Sequence, residues 1–203
     1  MQVNSPQHLF EAPDNLFVAT FIGSPAMNLV QARLVRDGGP AVTFADYRLP
    51  VPESVVSARE GLDGYFDRDV IVGIRPSSFE DAAFVHGDAA WPTMKVDVDV
   101  TEELGSEVNL LFAINAPPVH HEVMIARFDK TATDEPETDA IAGEGRSPWT
   151  ARVNPRTRAK AGRSVELAVD THGLHFFDMD SGLAIGNEPG SRERGAGTVV
   201  ETS

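Results

Sequence analysis

The chain has 203 residues, 41% of them hydrophobic, which is enough to enclose a sizeable apolar core. Its formal charge of −14 excludes the Lys- and Arg-rich surface that neutralises a phosphate backbone, so no nucleic acid is expected as a partner. With no cysteine there is neither a disulfide nor a thiolate metal site, and no apolar run approaches the roughly 20 residues that a membrane-spanning helix requires.

The first residues, MQVNSPQHLFEA, show no cationic start followed by an apolar stretch, so no secretion signal is visible. Ser5-Pro6 instead predicts a short helix from Pro6 to about Ala12, ended by Pro13. Asp14 or Asn15 then caps a second helix. Its apolar pairs Leu16/Phe17 and Thr20/Phe21 repeat at one-turn spacing, Gly23 is its stop, and Ser24-Pro25 forbids continuation. After this joint the period changes. Leu29–Val35 and Ala41–Phe44 are β-type runs separated by Asp37-Gly38-Gly39-Pro40 and predict a hairpin. Leu49-Pro50-Val51-Pro52 leads to a helical pattern over Glu53–Tyr65, with Val55, Val56, Leu62 and Phe66 on one face and Gly61 weakening it.

Asp69–Ile74 reads as a buried strand, stopped by Pro76. Met94–Thr101 alternates strictly, with Met94, Val96, Val98 and Val100 facing inward and Lys95, Asp97, Asp99 and Thr101 facing water. Leu104-Gly105-Ser106-Glu107 turns the chain into Val108–Ile114, and further strands are expected near Glu122–Phe128, Trp149–Val153, Val165–Val169 and Leu174–Phe177. Many short strands punctuated by Gly and Pro predict a small barrel. Residues 129–147, with Asp134, Glu135, Glu137, Asp139 and Glu144, read as an acidic mobile insertion, and residues 187–203 as a disordered tail. No internal repeat is visible.

The stretch Asn15–Asn28, NLFVATFIGSPAMN, resembles the "FVAxFIGSPxMN" junction of ATP-binding subunits of MalK-type carbohydrate ABC importers. Gly73-Ile74-Arg75-Pro76 resembles that family's "GIRPE" element with Ser77 in place of the glutamate. Leu104–Glu107 resembles its "LGxE" turn, and Leu174–Asp178 with Ser181-Gly182 its closing "LHLFDxxTG" element. The resemblance implies a mainly β fold: an OB-like barrel, the transport-associated OB regulatory domain, over residues 28–186. Residues 1–27 would be the helical remnant and hinge at the end of the nucleotide-binding domain. It singles out Gly23, Pro25, Asn28, Gly73, Arg75, Pro76, Gly105, Glu107, Phe176 and Asp178 as structural or interface positions, none of them catalytic.

The sequence has no G-x-x-x-x-G-K-[ST] loop, LSGGQ signature or switch histidine, so this chain alone is expected neither to bind nor to hydrolyse ATP. ATP and magnesium would belong to the nucleotide-binding part of family members. His172 and His175, or His120-His121, lack the spaced ligands that complete a zinc site. Asp178-x-Asp180-x-Gly182 has no closing glutamate for a calcium loop, since Pro189 stands there, and Asp97 and Asp99 share a wet face with Lys95. Arg146, Arg152, Arg156, Arg158, Lys160 and Arg163 concentrate positive charge and are read as a solvated hairpin, with an anionic ligand or partner as the alternative.

The resemblance further implies a cytoplasmic regulatory part that sits at the inner face of the membrane within a transporter. Its partners would be a second copy of itself, membrane permease subunits and a regulatory protein. Two alternatives stand beside it: a free-standing small-ligand module taking an oxyanion or a sugar, and a truncated remnant without a role of its own.

Overall fold

The computed structural model describes residues 10–85, 91–121 and 145–186. Most of the expected first helix, the strand near Glu122–Phe128, nearly all of the acidic insertion and the tail from residue 187 lie outside these residues; residues 10–11 are helical. The rest forms two five-stranded antiparallel sheets around one main apolar core.

The first sheet has the order β10-β4-β1-β2-β3, with β1 Asn28–Val35, β2 Ala41–Phe44, β3 Tyr47–Pro50, β4 Arg68–Ile74 and β10 His175–Phe177. β1 and β2 pair as the expected hairpin, Arg33 opposite Thr43, with Gly38 and Gly39 at positive φ in the turn. β4 is apolar on both faces for a physical reason. Val70, Val72 and Ile74 enter the main core, while Ile71 packs on the opposite face with Leu16, Ala19, Met27 and Phe177 in a second, smaller cluster. Helix α1, Leu16–Phe21, covers that outer face; Asn15 caps it by accepting a 3.0 Å hydrogen bond from the Val18 N–H. Leu16 and Ala19 point inward. Phe17 and Phe21, placed on the apolar face by their spacing, stack on each other with centroids 4.5 Å apart, and Phe21 stays 52% exposed.

The second sheet has the order β5-β9-β6-β7-β8, with β5 Phe79–Asp81, β6 Thr93–Glu103, β7 Val108–Ile114, β8 Ser147–Val153 and β9 Ser164–Val169. β6 is the strictly alternating run, buried at Met94, Val96 and Val98. A register shift between Val98 and Val100 lets its first half pair with β9 and its second half with β7, so the sheet coils. The two edge strands meet again through side chains: Glu80 Oε1 of β5 accepts from the Asn154 N–H just past β8 at 2.8 Å, and the Thr157 hydroxyl donates to Asp81 at 2.5 Å. The result is the expected mainly β, OB-like barrel, in which the second sheet curls until its two edge strands approach each other.

The helical pattern over Glu53–Tyr65 is not one helix. Helix α2 spans Glu53–Ser57, Gly61 at φ 83° breaks the chain, and a 3₁₀ turn follows at Leu62–Tyr65. Val55, Val56 and Leu62 are buried all the same, with Phe66 partly buried against the same core. No helix among the described residues is long and apolar enough to cross a membrane.

Candidate functional site

The stretch Ile22–Met27, between α1 and β1, is held by polar side chains that reach it from the barrel. Gly23 takes φ 128°, where L side chains are strained, and a β-carbon there would lie 3.3 Å from the Phe10 ring. The Ser24-Pro25 peptide is cis. Asn28, 6% exposed, donates from Nδ2 to the Ile74 carbonyl at 3.1 Å and to the Thr150 carbonyl at 2.8 Å, and its Oδ1 accepts from the Thr150 N–H at 2.8 Å. One amide thus ties β1 to β4 and across to the free edge of β8.

Arg75 leaves the end of β4 and is 6% exposed. Its guanidinium donates to the Phe10 carbonyl and, at 3.4 Å, to the Ile22 carbonyl, and it lies 3.8 Å from the centre of the Phe10 ring. Among the described residues no carboxylate forms an ion pair with it. Burial pulls its pKa down to about 10, so it remains a cation, stabilised by carbonyl dipoles and a π face. Pro76, buried, opens the 3₁₀ turn that follows. Gly73 sits at a close approach: a β-carbon would meet the Met27 sulfur at 2.3 Å and the Phe177 ring at 3.2 Å, so the methionine would have to move.

Arg152 reaches the same stretch from β8. Its Nη2 donates to the Ser24 carbonyl at 2.6 Å, and its Nε lies 3.2 Å from Glu107 Oε1 in an ion pair that lacks hydrogen-bond alignment. Glu107 ends the β6–β7 turn, in which the Leu104 N–H donates to the Glu107 carbonyl and Gly105 takes φ 86°. Phe10, Ser24, Pro25, Arg75, Pro76, Ser77 and Arg152 line one open indentation.

Gly23, Pro25, Asn28, Gly73, Arg75 and Pro76 therefore gather at one place, and Glu107 joins them through Arg152. The remaining motif residues do not. Phe176 lies in the main core beneath Arg59, whose guanidinium donates to the Leu174 carbonyl at 2.6 Å. Asp178 organises the turn after β10: its Oδ1 accepts from the Ser181 N–H and hydroxyl and the Asp180 N–H, and its Oδ2 accepts from the Tyr65 hydroxyl at 3.0 Å. The backbone and hydroxyl bonds from Ser181 hold its pKa below the ordinary carboxylate value.

No group of three His, Asp or Glu side chains suited to a metal occurs among the described residues. His175, half-buried in β10, has its pKa lowered to about 3, first by desolvation and then by the nearby Arg75 and Arg59 charges. The cationic run from Arg146 is not one patch. Arg146 bonds the Ala113 carbonyl and Arg152 serves the joint, while Arg156, Arg158, Lys160 and Arg163 stand exposed.

Residues 23–79 match the family described as the MalK OB fold domain. The chain is 38% identical over 184 residues to the trehalose import ATP-binding protein SugC of Mycobacterium tuberculosis, covering 89% of this chain and 43% of that protein. It is 41% identical over 181 residues to the diacetylchitobiose uptake system ATP-binding protein MsiK of Streptomyces coelicolor, covering 89% and 42%. Against the trehalose/maltose import ATP-binding protein MalK of Thermococcus litoralis it is 32% identical over 185 residues, covering 91% and 41%. The chain thus spans less than half the length of these relatives.

Proposed function

Because the chain carries a MalK OB fold domain and is related over most of its length to ATP-binding subunits of MalK-type carbohydrate ABC importers, we propose that it is the regulatory and dimerisation part of such a subunit. The observation that carries this reading is the joint. Arg75 and Arg152 hold the chain at the end of a short helical segment and just after it, and Asn28 locks the first residue of β1 into a barrel whose sequence matches that family, which suits a module that passes its position on to whatever precedes α1. In this role the chain contributes no ATP chemistry of its own. It pairs with a second copy in a two-fold arrangement, works beside membrane permease subunits at the inner membrane face, and receives a regulatory protein.

The test is the association state of the purified chain by light scattering across the micromolar range, with Mg-ATP binding followed by equilibrium dialysis. The proposal expects a dimer and no retained nucleotide. A monomer at every concentration would overturn the dimerisation role, and stoichiometric ATP binding would overturn the regulatory assignment.

A second reading, a small-oxyanion module, is favoured by one observation: Arg75, Arg152, Ser24 and Ser77 line a single indentation in an acidic chain. Phosphate or sulfate would then raise the melting temperature of the chain and leave that of Arg152→Met unchanged.

A further inference from the structure

We infer that Glu107 in the β6–β7 turn sets how firmly the barrel holds the joint, acting as a positioning residue through the guanidinium that it shares with Ser24. This goes beyond the regulatory role, and it holds whether or not two copies associate. Arg152 makes two polar contacts, one to each side: Nη2 to the Ser24 carbonyl at 2.6 Å and Nε beside Glu107 Oε1 at 3.2 Å. A long arginine side chain loses rotamer freedom when it is held in one geometry, and the carboxylate supplies the attraction that offsets this loss.

Arg152 Nε itself is buried, but the two side chains are 31% and 32% exposed as wholes, so salt or a competing cation reaches the pair from its outer side and weakens it. A cation that draws Glu107 away from Arg152 loosens the hold on Ser24, just before the start of β1. The turn is the input of the device and the stretch from Ile22 to Met27 is its output. Arg75 and Asn28 make no contact with Glu107 and keep the ends of that stretch in place, so the device changes tension without releasing the helix.

Hydrogen exchange read by mass spectrometry on the purified full chain tests this. Glu107→Gln and Arg152→Met should each speed exchange in peptides covering residues 22–27 by threefold or more, with β4 and β7 unchanged. The double variant should exchange no faster than Arg152→Met alone, because both residues act along one line. Glu103→Gln, which alters an exposed acid of the same hairpin that does not touch Arg152, should match the unaltered chain. Raising salt to ~0.5 M should reproduce the effect in the unaltered chain and add nothing in Glu107→Gln. Unchanged exchange at 22–27 in Glu107→Gln, additive effects in the double variant, or equal acceleration throughout the barrel would each overturn the inference.

Discussion

The barrel interior and the joint are held by opposite kinds of force. Inside, Phe44, Phe79 and Phe112 surround Trp149 with ring centroids 5.7 to 6.3 Å away, every one of them nearly inaccessible to water. At the joint a short stretch of chain is fixed by one amide and two guanidiniums, with the small cluster of Leu16, Ala19, Met27, Ile71 and Phe177 behind it. Apolar packing is short-ranged and carries no charge for salt to screen, so the interior resists perturbation from outside. Charge-assisted contacts near the surface respond to pH, salt and partners. The molecule places its rigidity and its responsiveness in different regions.

Substitution in the interior should give the largest effect. Trp149→Ala should cost about 3–5 kcal/mol in chemical denaturation, from lost burial and the cavity left behind. Trp149→Phe should cost much less, because the indole N–H is buried with no partner among the described residues and phenylalanine removes it. If the two variants proved equally damaging, the interior would depend on shape more than on apolar area.

Asn28→Ala comes next, at roughly 1–3 kcal/mol, since it strands the Ile74 and Thr150 carbonyls and the Thr150 N–H in a buried place. A loss this large at the joint, with the helical segment freed and the barrel still folded, would sharpen the contrast between the two regions. A two-state loss of the whole barrel would break it.

The third effect is on pH. The folded pKa of His175 is depressed to about 3 from 6.5, so below pH 6.5 the unfolded chain binds a proton that the folded one refuses. Stability is therefore full above about 6.5 and falls by about 1.4 kcal/mol per pH unit as pH drops towards the folded value. His175→Gln should flatten this slope in denaturant midpoints measured from pH 7 to 4. Asp178, with its pKa also lowered, adds a smaller loss of the same sign at the lower end. The smallest effect belongs to the barrel's outer face: Asp69→Asn, which breaks the half-exposed pair with Arg33 at 3.4 Å, should change stability by less than about 1 kcal/mol.

Much of the barrel was legible because alternation survives in the sequence. Met94–Thr101 reads as a half-buried strand from its residues alone, and Asp69–Ile74 ends where Pro76 requires. β3 was not, because the turn before it, Ala45-Asp46, contains no glycine although Ala45 sits at φ 44°, and because Pro50 stands inside the strand. β5 has only three residues and exists because β9 pairs with it. The joint was legible as a motif but not as a mechanism. Gly23, Pro25, Asn28 and Arg75 could be picked out, whereas the link from Glu107 through Arg152 to Ser24 depends on strand order, which no local pattern encodes. The sequence puts Phe10 in a helix but carries no sign that its carbonyl and its ring receive Arg75.

The contacts by which the two arginines hold the chain before β1 end on main-chain oxygens, those of Phe10, Ile22 and Ser24, and every amino acid supplies such an oxygen. Apart from the Phe10 ring under Arg75, their hold is therefore on the course of the backbone and not on the side chains at Ile22 and Ser24. Substitutions at Ile22 or Ser24 could accumulate without loosening the hydrogen bonds from Arg75 and Arg152, so a helical segment drifting to suit a new neighbour would still be presented at the same angle. A change at either arginine has no such latitude.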